Sequence, residues 1–218
     1  GPHNIMLGTS GMITDVANPT DPTANDRVND RGLDAQYQYL LDPHTVTAQL
    51  AYMTSKRRYP DSVANQPVNF VDALGNPLAN TNASDTTNIL RAKLTYIYQA
   101  KYGGSLGYFN RTGSTNTLNQ TSGYDPTTGL ITSDPTGALG ATALSTRVGG
   151  NLSGNPATRG FTYEAFWMPV ELSNYRYVRL GVQYTNYSKF NGASSNYDGL
   201  GRDAKDNNTL FFYVWGAY

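Results

Sequence analysis

Five charged side chains fall on the polar parity of segments that otherwise alternate with apolar residues: Asp34 and Glu164, and against them Arg91, Lys93 and Arg179. Gln36, Gln38, Gln49, Gln183 and Thr185 share that parity and flank them. Such a set can do one of two things. Shut away from water, the charges must pair, because an unpartnered buried charge is too costly, and the group becomes a structural plug. Around a water-filled space the same groups line a lumen and sort solutes by charge. Both readings stand at the level of sequence, and three basic against two acidic positions is too small an excess to name an anion preference.

Covalent and metal chemistry has less support. There is no nucleophile elbow, phosphate loop or zinc motif, and the chain has no cysteine, which removes disulfides, thiolate ligands and haem attachment. His3 and His44 stand apart, and His44 lies in "DPHT", where Asp42 and Pro43 already account for a turn. Asp21, Asp26 and Asp30 share one stretch and Asp198, Asp203 and Asp206 another, but neither has the ligand spacing of a calcium loop. They read as solvated turn residues. The Asn-x-Ser/Thr triplets at Asn82, Asn110 and Asn151 are expected by chance in stretches this rich in Asn, Ser and Thr. The expectation is a protein that is not an enzyme and holds no metal or cofactor of its own.

The elements that would position the five charges are strands. Lys+Arg and Asp+Glu are equal at 16 each, which speaks against nucleic acid or an anionic membrane surface as an electrostatic partner of the chain as a whole. Charged residues make up only 15% of the chain while tyrosine reaches 17 in 218 residues, and no sustained helical period appears. Period-two alternation marks eight segments, at about 3–16, 30–41, 45–57, 88–99, 102–112, 159–169, 175–190 and 208–218. In "GLDAQYQYL" Leu33, Ala35, Tyr37 and Tyr39 oppose Asp34, Gln36 and Gln38; in "LRAKLTYIY" Leu90, Ala92, Leu94, Tyr96 and Tyr98 oppose Arg91, Lys93 and Thr95. "FTYEAFW" and "YVRLGVQYT" repeat the pattern, so each strand has an apolar face free of charge.

Connections alternate between short and long. The long ones, 17–29, 58–87, 113–158 and 191–207, all fall on one side of the array. Loops of that length are uncommon in compact soluble domains and usual on the outer side of an outer-membrane barrel. Tyr37, Tyr39, Tyr96, Tyr98, Trp167, Trp215 and Tyr218 gather toward the short-turn end, with Tyr102, Tyr175 and Tyr177. Tyr59, Tyr108, Phe109, Phe161, Tyr163, Tyr187 and Phe190 gather toward the other. Two aromatic belts around an aliphatic band are what a bilayer's two interfaces select. The last residues, "LFFYVWGAY", carry no charge and end on an aromatic residue of the apolar parity. That resembles the C-terminal assembly signal of outer-membrane barrels, with Gly216 standing where a bulky residue is usual.

The fold expected is therefore all-β: one domain over 1–218, a transmembrane antiparallel up-and-down barrel with about eight strands visible, or part of a larger one. "GPHNIMLGTSGM", "DRGLDAQYQYLLDPHTVTAQLAY", "KYGGSLGYF" and "KFNGASSNYDGLGRDAKDNNTL" resemble a family of proteobacterial outer-membrane porin-like proteins. Some of its members look like cytochrome–porin fusions. The resemblance covers most strands and little of 58–87 or 113–158. It implies that this chain is the C-terminal barrel part, with strands missing upstream, in a bacterial outer membrane. It also implies lipid and the barrel-assembly machinery as partners, with a c-type cytochrome or additional strands beside them. Haem c would belong to an upstream segment, not to any residue here. Two other readings remain open: a non-conducting barrel that binds a partner through its long outer loops, and a soluble extracellular sandwich acting as a binding module.

Overall fold

Alternation at period two, with β-branched and aromatic residues on the apolar parity, suits a pleated strand exposed to two different surroundings. In the computed structural model, which describes residues 1–17, 25–59, 82–116, 153–169, 177–198 and 201–217, eight such strands form. They are β1 (His3–Ala17), β2 (Asn25–Leu41), β3 (His44–Arg58), β4 (Ser84–Tyr98), β5 (Tyr102–Gly113), β6 (Thr158–Trp167), β7 (Tyr177–Lys189) and β8 (Thr209–Ala217). A single turn of 3-10 helix, Ala204–Asn207, precedes β8. The strands pair in chain order in one antiparallel up-and-down sheet. Among the described residues β1 and β8 make no contact with each other, so the sheet is open at both edges.

Two starts differ from the sequence reading. β2 begins at Asn25 rather than near 30, and β4 at Ser84 rather than near 88. "NDRVND" looks like a turn because it is polar on both parities, yet its backbone is paired on both sides: Arg27 opposes Asp15 on β1 and Arg58 on β3. The strands thus run on past the apolar band into a charged zone. The stretches 18–24, 60–81, 117–152, 170–176 and 199–200 lie outside the described residues, as does Tyr218.

Register makes the two faces continuous. Ile5, Tyr37, Ala48, Leu94, Leu106, Tyr163, Tyr184 and Leu210 oppose one another in turn, one from each strand, and form an unbroken apolar row. Nothing in the described residues covers it. Leu7 is 81% exposed, Phe212 71% and Val214 76%, while among the described residues Phe166, Tyr197 and Ala204 are buried. A second row on the other face is polar almost throughout: Asn4, Gln38, Thr47, Thr95, Ser105, Glu164, Gln183 and Phe211.

Candidate functional site

On the polar face the charges gather at Glu164, near the middle of β6. Its neighbours arrive from four other strands because the register brings small or polar residues beside it: Ser105 on β5 and Gln183 on β7 are its direct partners. Arg179 on β7 donates to Glu164 Oε1 at 2.6 Å, and the Tyr213 hydroxyl on β8 donates to the same oxygen at 2.5 Å. Ser105 donates to Oε2 at 2.8 Å, and Lys93 on β4 sits 3.3 Å from it. Charge-assisted bonds of this kind are the strong ones, and four donors occupy most of the carboxylate's acceptor capacity.

Glycines allow the reach. Tyr213 lies flat across Gly181, where a Cβ would collide with its ring, and Phe166 lies likewise across Gly103. Phe166 is buried on this face and the Arg179 guanidinium stacks on it, 3.5 Å from the ring centroid. Such stacking holds the guanidinium's planar fork toward Glu164.

The rest of the sequence-derived set is arranged differently. Asp34 and Arg91 do not join the cluster, and neither has a hydrogen-bond or ion-pair partner among the described residues. Ala51 separates them in the register. Gln49 donates to Gln36 at 2.7 Å, Gln38 accepts weakly from Asn4 at 3.4 Å, and Thr185 opposes Thr162. Beside the cluster a cleft of about 610 Å³ opens between β4 and β7. Arg91, Lys93, Ser105, Thr162 and Thr185 line it, with Phe109 and Tyr187 toward the long-connection end. Cations, hydroxyls and water-accessible space together can hold or pass a small polar solute.

The aromatic belts divide by face. Tyr37, Tyr39, Tyr96, Tyr98 and Trp167 all lie on the apolar parity near the short turns. Trp215 does not: it opposes Arg179 and so belongs to the charged face, together with Tyr213 and Phe211. Nearness to the chain's aromatic end suggested the belt, but parity decides the face. Phe109 and Tyr187 also sit on the charged face, while Tyr108, Phe161 and Tyr163 sit on the apolar one. Tyr218 and Tyr175 fall outside the described residues.

Sequence reasoning missed the histidines. His3 Nδ1 lies 2.8 Å from the Tyr37 hydroxyl with the rings stacked, and His44 repeats this with Tyr96 at 2.8 Å. Each therefore completes the short-turn belt, and the signal was present: His3 shares parity with Ile5, and His44 with Val46.

At the opposite end the packing is denser. Asp85 is buried and accepts from Asn82 at 2.7 Å and Asn116 at 2.6 Å. Burial raises the Tyr59 phenol above its ordinary value, and the Asp85 carboxylate nearby adds to the rise. Phe109, Tyr187, Phe190 and Tyr197 then form a chain of edge-to-face rings with centroids 5.0–5.4 Å apart. Among the described residues no group of three or more His, Cys, Asp or Glu side chains is placed to hold a metal ion. No helix there is long and apolar enough to cross a membrane, which says nothing of strands.

No protein-family model matches the chain, and no curated protein or solved structure matches it either.

Proposed function

We propose that this chain forms the wall of a porin-like β-barrel in a bacterial outer membrane, with its charged face toward a solute-bearing lumen. One observation carries the reading: an apolar row crosses all eight strands without a break, and no second layer among the described residues covers it. A sheet this wide leaves a water-soluble protein only if something apolar lies against that face. Lipid does so at no cost in packing specificity. It also explains why large side chains stand apart instead of interlocking as in a core. The belt of Tyr37, Tyr96, Tyr98 and Trp167, with His3 and His44, supports an interfacial position for the short-turn end.

Hydrocarbon satisfies no backbone donor, so a sheet inside it must close. β1 and β8 are therefore edges that further strands meet, from another segment or another copy, and the enclosed space is wider than eight strands would give. The cleft beside Arg91 and Lys93 favours a lumen over a solid plug, with the Glu164 cluster as a rigid boss on its wall. A c-type cytochrome housed by such a barrel is the partner that the family resemblance implies.

A second reading, a non-conducting barrel that binds a partner through its long loops, has the Glu164 cluster in its favour, because so many satisfied bonds resemble a filled interior.

The test is purification in detergent, a strand count from a map, and ion conductance in a planar bilayer. More than eight strands with steady conductance is the expected result. Eight strands closing alone with no conductance would leave the scaffold reading. A monodisperse protein in the absence of detergent would overturn both.

A further inference from the structure

Charge is sorted by parity where the strands pass beyond the apolar band. On the apolar-face parity at the long-connection end stand Arg27, Arg31, Lys56, Arg58 and Arg159, and a shift of register between β6 and β7 brings Lys189 opposite Arg159. The only carboxylate on that face and end, among the described residues, is Asp15, which already pairs with Arg27 at 2.7 Å. On the opposite parity at the same level the signs lean the other way, with Asp26, Asp30 and Asp85 against Arg57 and Arg111. "DRVNDR" writes the sorting out: acids on even positions, arginines on odd ones.

The two rims of the apolar face also differ. At the short-turn rim the strand positions are His3, Tyr39, His44, Tyr98, Tyr102 and Trp167, with no lysine or arginine among them. Solubility alone would not distinguish the rims, since cations serve equally well at either. Among the described residues Lys56, Arg58, Arg159 and Lys189 make no side-chain hydrogen bond or ion pair. Four unpaired cations in two neighbouring pairs, on β3 and across β6–β7, leave donors at the long-connection end of the apolar face.

We propose that this rim binds the phosphate groups of anionic lipid headgroups in the leaflet at the long-connection end. The assignment rests on the membrane reading given above. Arginine's fork matches a phosphate's oxygens two at a time, and lysine adds a mobile point charge. Leu50 and Tyr52 continue the apolar face below the β3 pair and Phe161 and Tyr163 below the β6–β7 pair, so acyl chains lie on the sheet while their headgroups reach the cations. Bound lipid would thus be oriented, not merely attracted.

The experiment reconstitutes the full chain, in its purified assembly, into phosphatidylcholine bilayers containing a minor fraction of phosphatidic acid. Lipid that co-purifies after mild detergent extraction is then quantified by mass spectrometry. The expected result is enrichment of phosphatidic acid over its bulk fraction, falling about fivefold for each rim charge removed, the weight of one basic residue at an anionic surface. Lys56→Gln with Arg58→Gln tests one pair, and Arg159→Gln with Lys189→Gln the other. Lys101→Gln, in the short turn before β5, is the control and leaves enrichment unchanged. Enrichment that survives loss of all four cations, or falls equally with Lys101→Gln, overturns the rim assignment. Insertion into phosphatidylcholine without enrichment overturns it too but leaves the membrane reading standing. A chain that inserts into neither bilayer overturns the membrane reading, and the rim assignment with it.

Discussion

Leu94 lies mid-sheet with half of its side chain open, 51% exposed, whereas Tyr197, in the segment between β7 and β8, is 1% exposed. Both are large and largely apolar, and they are handled in opposite ways. Around Tyr197 the chain supplies its own cover. Phe190 packs edge-on at 5.0 Å, Arg202 lies over the ring at 5.6 Å, and Asn207 accepts from the phenol at 3.2 Å. Asp203 and Asp206 close a capping box on the short helix beneath, and Ala204 is buried there. The segment packs on itself. Around Leu94 nothing in the chain plays that part, and its row runs on through Leu106 and Tyr163. On the membrane reading proposed above, the contrast marks a change of solvent: self-burial begins where the apolar row stops.

The sharpest break of this comparison is Tyr197→Ala. Emptying a filled aromatic site costs about 3–5 kcal/mol, enough to open the segment packed around it. Limited proteolysis should then cut between 190 and 208 while the sheet stays intact. A variant whose whole sheet unfolds with the loop would show that the two regions are not separable.

Next in size is Leu94→Arg, set against Gln49→Arg on the other face. An arginine facing lipid at mid-depth costs about 2–4 kcal/mol, while the charged face accepts it beside Gln36. Assembly into bilayers should fall for the first and hold for the second, read as the heat-modifiable fraction on a gel. Equal losses would mean that both faces meet the same solvent.

Glu164→Ala sharpens the comparison from the charged side. Removing the shared acceptor strands Arg179, Lys93 and the Tyr213 hydroxyl, at about 1–3 kcal/mol for groups left unsatisfied. Unfolding in denaturant should shift to lower midpoint, and conductance should become more anion-selective because a negative charge leaves the wall. Unchanged reversal potential under a salt gradient would remove the cluster from the conduction path.

Much of the sheet was legible because alternation states parity directly. Leu33, Ala35, Tyr37 and Tyr39 declare one face whatever their strand pairs with. The charged cluster was only half legible. Glu164 with Lys93 and Arg179 could be named from sign and parity, but Tyr213 and Ser105 are neighbours through register, and register depends on where strands start. Asp34 shares their face without reaching them, for the same reason: sharing a face does not fix a distance across it. Trp215 was misread because aromatic clustering near the terminus outweighed its parity. The early start of β2 was hidden since "NDRVND" carries turn-forming residues, and only pairing on both sides makes it a strand.

The smallest effect expected is at the turn from β4 to β5, on the rim opposite Tyr197. Gln99 and Ala100 take φ of 51° and 54°, the left-handed region, while Lys101 N–H donates to the Tyr98 carbonyl at 3.0 Å. Both central residues of such a turn favour asparagine and glycine, and a side chain with a Cβ there costs about 1 kcal/mol. The geometry persists because the Gln99 N–H donates to the Pro43 carbonyl at 2.7 Å, tying this turn to the one between β2 and β3. Gln99→Asn with Ala100→Gly should therefore raise the unfolding midpoint slightly and leave the Tyr197 segment's proteolysis untouched. Because this turn lies at the short-connection rim, its gain should appear only in the transition of the sheet. A matching gain in loop protection would mean that sheet and loop melt as one unit, and the two solvents inferred from Leu94 and Tyr197 would then need another boundary.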